Sequence, residues 1–154
     1  MHRAYIGIGS NIGDRETNVM RAVSLMKDKG IVILKVSSLY ETAPWGIANQ
    51  PDYINAAAEV ETDLEPMELL KTLREIEKRM GRFFESTRWG PRIIDLDILF
   101  YDNLTLSEPE LKIPHPLIGE RAFVLDPLSE IAPLLVHPLT GKTVSEMRKE
   151  LGAV

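Results

Sequence analysis

The stretch 93–101 most constrains the fold, because its apolar residues alternate with two carboxylates and predict a half-buried β-strand. One face of this strand carries apolar side chains, at Ile94, Leu96, Ile98 and Phe100. The other face carries Asp95 and Asp97, flanked by Ile93 and Leu99. Two carboxylates on an apolar strand repel each other and are costly to desolvate. A strand of this composition therefore needs a reason to keep both charges.

A divalent cation is one such reason. Mg²⁺ binds oxygen ligands and commonly uses one or two carboxylates together with substrate phosphates. The pair Asp95 and Asp97 therefore predicts a metal site. The alternative is an edge strand whose aspartates face water, because Asp-x-Asp is a short and common pattern.

Arginines precede the acidic strand within a segment that contains glycine and proline, 81–92. Guanidinium groups bind phosphate oxygens through paired hydrogen bonds. Arginines followed by an acidic strand are typical of metal-assisted phosphoryl transfer, in which Arg82 and Arg92 would neutralise the transferring group. The alternative is a loop whose arginines are solvated. Arg82 taken alone favours this alternative, whereas the position of Arg92 close to the aspartates favours a role in phosphoryl transfer.

Hydrophobic periodicity predicts the element order β-α-β-β-α-β, followed by a mixed C-terminal region. Strands are predicted near 4–8 and over 31–40, 53–62 and 93–101, and helices over 15–29, 64–80, 120–125 and 143–151. This order predicts one α+β domain over 1–154 with a split β-α-β (ferredoxin-like) core, a mainly antiparallel sheet and both long helices on one face. Long loops and the C-terminal extension would then form the ligand cleft, with Asn55 on the face of the aspartates.

Charge and composition exclude several classes of protein. The net charge of −5 gives no support to a nucleic-acid partner, and the absence of cysteine excludes disulfides and thiolate metal sites. No apolar run approaches the ~18 residues of a membrane span, and the N-terminus lacks the layout of a signal peptide. We therefore expect a cytoplasmic monomer that binds neither nucleic acid nor a membrane.

Other polar and aromatic residues are candidates for ligand contacts. Tyr53 and Asn55 share one face of a predicted strand, where they could stack on a heterocycle and bind its edge, or simply form a polar sheet face. The loop tryptophans Trp45 and Trp89 suit either a stacking surface or a loop anchor.

His115 lies between two prolines and precedes Arg121 by six residues. A histidine and an arginine at this spacing can bind phosphate together. The alternative is an ordinary surface turn.

Several separate motifs occur in one order along the chain: Tyr-Ile-Gly-Ile-Gly-Ser-Asn at 5–11, Tyr-Glu-Thr-x-Pro at 40–44, Gln-Pro-Asp-Tyr-Ile-Asn at 50–55, Gly-Arg at 81–82, the block 88–99, Pro-His-Pro at 114–116 and Arg-x-Phe-Val-Leu at 121–125. Together they resemble the 6-hydroxymethyl-7,8-dihydropterin pyrophosphokinase family of folate biosynthesis. The resemblance implies transfer of diphosphate from ATP to the hydroxymethyl group of a dihydropterin, which leaves AMP.

The resemblance also implies a role for individual residues. The catalytic set would be Arg82, Arg92, Asp95 and Asp97, with two Mg²⁺ ions on Asp95 and Asp97. ATP would contact Glu77, Arg82, Arg92, Ile98, Lys112, His115 and Arg121. The dihydropterin would contact Thr42, Pro44, Trp45, Tyr53, Asn55, Trp89 and Phe123. The chain departs from some relatives at Phe84, where they carry a second arginine, and this departure would weaken contact with ATP.

Two alternative functions remain open at this point. One is a regulatory domain of the same fold that binds a ligand without chemistry. The other is a Mg²⁺-dependent phosphotransferase that acts on a different alcohol. Dependence of ATP binding on Mg²⁺ would favour an enzyme over a regulatory domain.

Overall fold

The structure is a computed structural model that describes residues 1–42, 52–81 and 93–152. Its strands are β1 (His2–Ser10), β2 (Val32–Val36), β3 (Tyr40–Thr42), β4 (Tyr53–Thr62), β5 (Asp95–Tyr101), β6 (Leu106–Ser107) and β7 (Lys112–Ile113). Its helices are α1 (Arg15–Asp28), α2 (Pro66–Arg79), α3 (Ala122–Ile131) and α4 (Val144–Leu151), with a 3₁₀ turn at Ile118–Glu120. Within these ranges no helix combines the length and the apolar character needed to cross a membrane.

The main sheet has the strand order β2-β4-β1-β5, and β3 pairs with β4 beyond the end of β2. Every pairing in this sheet is antiparallel. The two crossings, β1-α1-β2 and β4-α2-β5, each skip one strand of the sheet, which is the split β-α-β arrangement. The predicted α+β fold is therefore confirmed, and β6 and β7 add a small hairpin that the periodicity does not predict.

Helices α1 and α2 cover one face of the sheet. Local signals set the ends of α1: the Asp14 carboxylate accepts a hydrogen bond from the Thr17 N–H at 3.1 Å, and Gly30 follows the helix at a positive φ of 84°. The core between these helices and the sheet includes Ile6, Met26, Val60, Leu73, Ile76 and Leu96. This interface is mainly apolar, and most polar side chains of the sheet lie on the opposite face.

The opposite face is covered at one end by the C-terminal extension. The 3₁₀ turn, α3 and α4 contribute Ile118, Leu125, Leu128 and Val144 to a second core on Tyr5, Ala57, Leu99 and Phe100. The Phe100 ring contacts Tyr5 edge to face, with centroids 6.4 Å apart. The C-terminal extension, which the sequence predicts as part of the ligand cleft, thus packs on this face of the sheet.

A β-bulge changes the predicted face of Phe100. Tyr5 pairs with Phe100 and Ile6 pairs with Ile98, so Leu99 is the extra residue on β5. Strict alternation places Phe100 on the helix-covered face, and that expectation is wrong. The bulge turns both Leu99 and Phe100 into the second core and returns Tyr101 to the first.

The predicted strand over 31–40 is two strands, separated at Ser37. The Ser37 N–H donates to the Ala57 carbonyl at 2.9 Å, and the Ser37 hydroxyl accepts from the Ala57 N–H at 2.9 Å. This hydroxyl takes the place of a strand carbonyl, which lets the chain step along β4 before β3 begins. The predicted helix over 120–125 also differs, because it is a 3₁₀ turn followed by a longer α3.

We expect Phe100→Ala to lower the free energy of unfolding by about 3–5 kcal/mol, because it removes a fully buried ring from the second core. Leu134→Ala is the control, since Leu134 is 80% exposed, and its effect should stay within about 0.5 kcal/mol. Urea denaturation measures both. Equal, small effects would contradict a stabilising role for the second core.

Candidate active site

Beyond the end that the C-terminal extension covers, two glycines of β1 form the floor of this sheet face among the described residues. On β1, Gly9 pairs with Asn55 on one side and with Asp95 on the other, and Gly7 pairs likewise with Ala57 and Asp97. Because glycine has no side chain, β1 contributes only main chain between Asn55 and the two aspartates, and we call this strip the trough. The Tyr53 ring packs beside Gly9 and the Leu99 side chain beside Gly7. The prediction that Asn55 and the aspartates share one face is confirmed.

Asn55 is held in a fixed orientation on one side of the trough. Its side chain is nearly buried and its Nδ2 donates to the Thr42 hydroxyl at 2.7 Å. Thr42 itself pairs with Tyr53 across β3 and β4. Tyr53 lies against Gly9, since a Cβ on that glycine would be 3.4 Å from Tyr53 Cδ1. A fixed amide beside an aromatic ring suits a flat heterocycle.

Asp95 and Asp97 lie on the other side of the trough, on adjacent positions of one face. Burial and then the Asp95 charge raise the pKa of Asp97 to about 7, while Arg74 and Arg121 act in the opposite direction and Glu77 adds to the increase. The charged pair is therefore unfavourable without a cation. No cluster of three or more His, Cys, Asp or Glu suited to a metal occurs in the described ranges. Two carboxylates alone fit an ion that takes its remaining ligands from phosphates and water.

Helix α2 contacts the acidic strand through Arg74 and Glu77. One Glu77 oxygen accepts the Leu96 N–H at 2.8 Å, and the other accepts from Arg74 Nη1 at 3.0 Å. Arg74 Nη1 also donates to the Leu96 carbonyl at 2.7 Å, and Arg74 Nη2 lies 4.0 Å from Asp97 Oδ1. Arg74 is not recognisable as a site residue from the sequence. Its only signal is an Arg and a Glu three residues apart on the helix face that packs on the sheet.

His115 and Arg121 interact electrostatically with the aspartates: Asp95 affects the pKa of His115, and Arg121 affects that of Asp97. The His115 N–H donates to the Leu99 carbonyl at 3.0 Å, and His115 Nδ1 accepts from the Leu117 N–H at 3.3 Å. Burial and then Arg121 lower the pKa of His115 to about 4, against an opposing effect of Asp95. The ring is therefore neutral at pH 7, and its Nε2 carries the proton as a donor.

Arg121 adds a cation at the start of α3. Its guanidinium carbon lies 5.4 Å from the centre of the Phe123 ring, which is a cation–π contact. Both residues are partly exposed. The structure thus gives Phe123 a surface position next to a candidate phosphate ligand.

Two further candidates lie on β5 or on the neighbouring β6–β7 hairpin. The Ile98 side chain is buried in the first core, so a ligand could reach this residue only through its peptide groups. Lys112 is exposed on β7, where its Nζ lies 3.4 Å from the Glu108 carbonyl.

The remaining predicted contacts lie outside the described residues. These are Pro44, Trp45, Arg82, Trp89 and Arg92, together with the departure at Phe84. Their roles stay predictions from the sequence.

Comparison with known proteins points to one family. The profile of the 7,8-dihydro-6-hydroxymethylpterin-pyrophosphokinase family matches residues 5–133. The chain is 45% identical to a 2-amino-4-hydroxy-6-hydroxymethyldihydropteridine pyrophosphokinase of Methylorubrum extorquens, covering 98% of this chain and 94% of that protein. It is 39% identical to the protein of the same name in Aquifex aeolicus, covering 97% and 92%.

Among solved structures, the fold is similar to that of a wild-type HPPK-DHPS of Plasmodium falciparum, with a TM-score of 0.74. The match covers 97% of this chain and 43% of that one, at 16% sequence identity. At this identity the similarity supports the fold alone.

Substitution of the two floor glycines should have unequal effects. A Cβ on Gly9 would lie 3.1 Å from Asn55 Oδ1, so Gly9→Ala should displace Asn55 and weaken its bond to Thr42. A Cβ on Gly7 would meet the Leu99 side chain, at 3.3 Å, and not Asn55, so Gly7→Ala is the matched control. The ¹⁵N-NMR signal of the Asn55 side-chain amide should move in Gly9→Ala and stay in place in Gly7→Ala. A stationary signal in both variants would contradict the proposed packing.

The raised pKa of Asp97 makes stability depend on pH in a defined direction. The folded protein binds a proton at Asp97 that the unfolded chain has already lost, so stability falls as pH rises from about 4 to about 7. Asp97→Asn removes this loss. In EDTA, the free energy of unfolding of Asp97→Asn minus that of wild type should be larger at pH 8 than at pH 5 by about 1–3 kcal/mol, as measured by urea denaturation.

Asp102→Asn is the control of opposite sign. Burial raises the pKa of Asp102, but hydrogen bonds from the Arg3 N–H and the His2 ring outweigh that effect and lower it. This variant should be less stable than wild type at pH 8, with a smaller difference in acid. A pH-independent effect of Asp97→Asn would show that Asp97 is ordinarily ionised.

Proposed function

The chain belongs to the 7,8-dihydro-6-hydroxymethylpterin-pyrophosphokinase family, and we propose that the trough between Asn55 and the two aspartates is where its reaction takes place. The chain is an ATP-dependent pyrophosphokinase of folate biosynthesis. The hydroxymethyl oxygen of the dihydropterin forms a bond to the β-phosphorus of ATP, the bond from that phosphorus to the α-phosphate oxygen breaks, and AMP leaves. One observation supports this location above others: Gly9 on β1 pairs on one side with Asn55, whose amide is oriented, and on the other side with the carboxylate residue Asp95.

Asp95 and Asp97 fit a divalent cation, which supports their assignment as metal ligands. Their mutual repulsion and the raised pKa of Asp97 both favour a bound positive charge. We assign them two Mg²⁺ ions, which would supply charge neutralisation of the triphosphate. The role of the protein is to hold both carboxylates on one face of β5.

We assign the dihydropterin to the Asn55 side of the trough. Thr42 orients Asn55, so that its amide can bind the polar edge of the ring. Tyr53 and Phe123 supply aromatic faces. Pro44, Trp45 and Trp89 complete this set by resemblance to the family, with Trp89 placed over the substrate.

We assign ATP to the side of β5 and the C-terminal extension. Arg121 and the neutral His115 ring supply a cation and a proton donor for phosphate oxygens. The adenine would bind the peptide groups of Ile98, whose side chain is committed to the core, and Lys112 on the neighbouring hairpin would contact the nucleotide. Arg82 and Arg92 act on the transferring group.

The location and assembly of the protein are part of the same proposal. The net charge of −5 opposes a nucleic-acid partner, and a chain without cysteine needs no oxidising compartment to fold. We propose a cytoplasmic monomer that binds ATP and a dihydropterin.

An AMP-release assay tests the function and separates it from the alternatives. Wild-type protein with ATP, Mg²⁺ and 6-hydroxymethyl-7,8-dihydropterin should release AMP, and Asp97→Asn should release none above background. AMP release only with another alcohol would favour a different phosphotransferase. Binding of the dihydropterin without AMP release would favour a regulatory domain.

Replacement of the two arginines should affect the rate more than binding. Arg82→Ala and Arg92→Ala should each lower kcat by about 100-fold, because a charge clamp is most important as charge develops on the transferring group. Arg21→Ala is the control, since Arg21 is exposed on α1 behind the sheet. Steady-state kinetics measures kcat and the KM for ATP. A change confined to KM would indicate ground-state binding instead.

A further inference from the structure

The acidic strand lies at the edge of the sheet, and α2 closes part of this edge. Among the described strands, in the order β2-β4-β1-β5, strand β5 has a neighbour in this sheet on its β1 side alone. The N–H and C=O of Leu96 point away from β1, because both bind side chains of α2. Glu77 accepts the N–H and Arg74 donates to the C=O. Together these two side chains act on Leu96 as a neighbouring strand would.

Leu96 is the residue between the two aspartates, so its position sets theirs. Its side chain is fully buried in the first core. Asp95 and Asp97 pair with Gly9 and Gly7 on the inner side. The backbone between the carboxylates is therefore fixed in three ways. Arg74 and Glu77 bind its outer side, β1 pairs with its inner side, and the buried Leu96 side chain anchors it in the first core.

Packing alone does not explain Glu77, because burial of a carboxylate costs desolvation free energy that an apolar side chain does not. Glu77 is 0% exposed, and a buried ion pair is often no more stabilising than apolar residues of similar volume. Its two oxygens bind Leu96 and Arg74, which orients the Arg74 guanidinium towards Asp97, with Nη2 at 4.0 Å from Oδ1. Both ends of the pair are thus directed at the acidic strand.

We propose that Arg74 and Glu77 form a clasp on Leu96 that positions Asp95 and Asp97 to bind divalent cations; this inference rests on the metal role proposed above. Both are positioning residues, because they act on the carboxylates through Leu96 and by orientation of Asp97. On this proposal Glu77 serves the ATP site through β5, and not by a direct contact with ATP.

Charge and positioning predict opposite effects for one substitution. Arg74→Met removes a positive charge close to Asp97. If Arg74 acts only through its charge, a bound cation loses a repulsive neighbour and binds more tightly. If Arg74 acts as a clasp, its loss leaves Asp95 and Asp97 less well oriented and weakens cation binding. Removal of an outer partner of a metal ligand typically weakens metal binding by about 10–100-fold.

The test measures Mn²⁺ binding by electron paramagnetic resonance in the presence of α,β-methylene-ATP, which cannot release AMP. Arg74→Met should weaken Mn²⁺ binding by at least about 10-fold relative to wild type. Lys71→Met is the matched control, because Lys71 is exposed on the same helix and the same charge is lost, and it should bind as wild type does. Arg74→Lys, which keeps the charge without the paired donors, should fall between wild type and Arg74→Met.

Hydrogen exchange at the Leu96 amide gives a second readout on the metal-free protein. Exchange should be slow in wild type and in Lys71→Met, and faster in Arg74→Met, where Glu77 loses its partner. Unchanged or tighter Mn²⁺ binding in Arg74→Met, or unchanged Leu96 exchange, would overturn the clasp. Absence of Mn²⁺ binding by wild type with the nucleotide analogue would overturn the metal role itself, and the positioning role with it.

Discussion

The repulsion between Asp95 and Asp97 is the constraint on which the site depends. Two carboxylates on one face of a sheet strand are stable only if something offsets their charge. The structure offsets it in part with Arg74 and Arg121, but Asp97 still has a pKa of about 7. In the free protein, the repulsion between these carboxylates therefore favours binding of a cation at the place where a triphosphate with its metal ions would bind.

Much of the fold follows from alternation, because the sheet has one mainly apolar face and one face that carries most of its polar side chains. The predicted strand over 53–62 is β4 residue for residue, and the C-terminal helix is also confirmed. Alternation fails where a strand departs from regular pairing. The extra residue Leu99 and the hydroxyl of Ser37 both alter the register, and neither has a local signal, since each depends on a partner strand distant in sequence.

The same limit explains which site residues could be predicted. Asp95, Asp97 and Asn55 are set by their strand faces, so the sequence is enough to place them together. Arg74 is different. On a helix, an Arg three residues before a Glu is an ordinary surface pair, and its role appears only when α2 packs against the edge of β5. Charged residues that act through the backbone of another element are therefore the ones that pattern analysis misses.

The glycine floor has a consequence for inhibitors. A compound bound against Gly7 and Gly9 would contact the β1 main chain together with the Tyr53 and Leu99 side chains that pack beside it, and no substitution can remove the main chain. A resistant variant would have to add a side chain there, and at Gly9 the added carbon would lie 3.1 Å from the Asn55 amide oxygen. Resistance by this route would thus damage the substrate site along with the inhibitor site. Resistance should therefore arise less readily against compounds that bind through the β1 backbone than against compounds that bind through side chains.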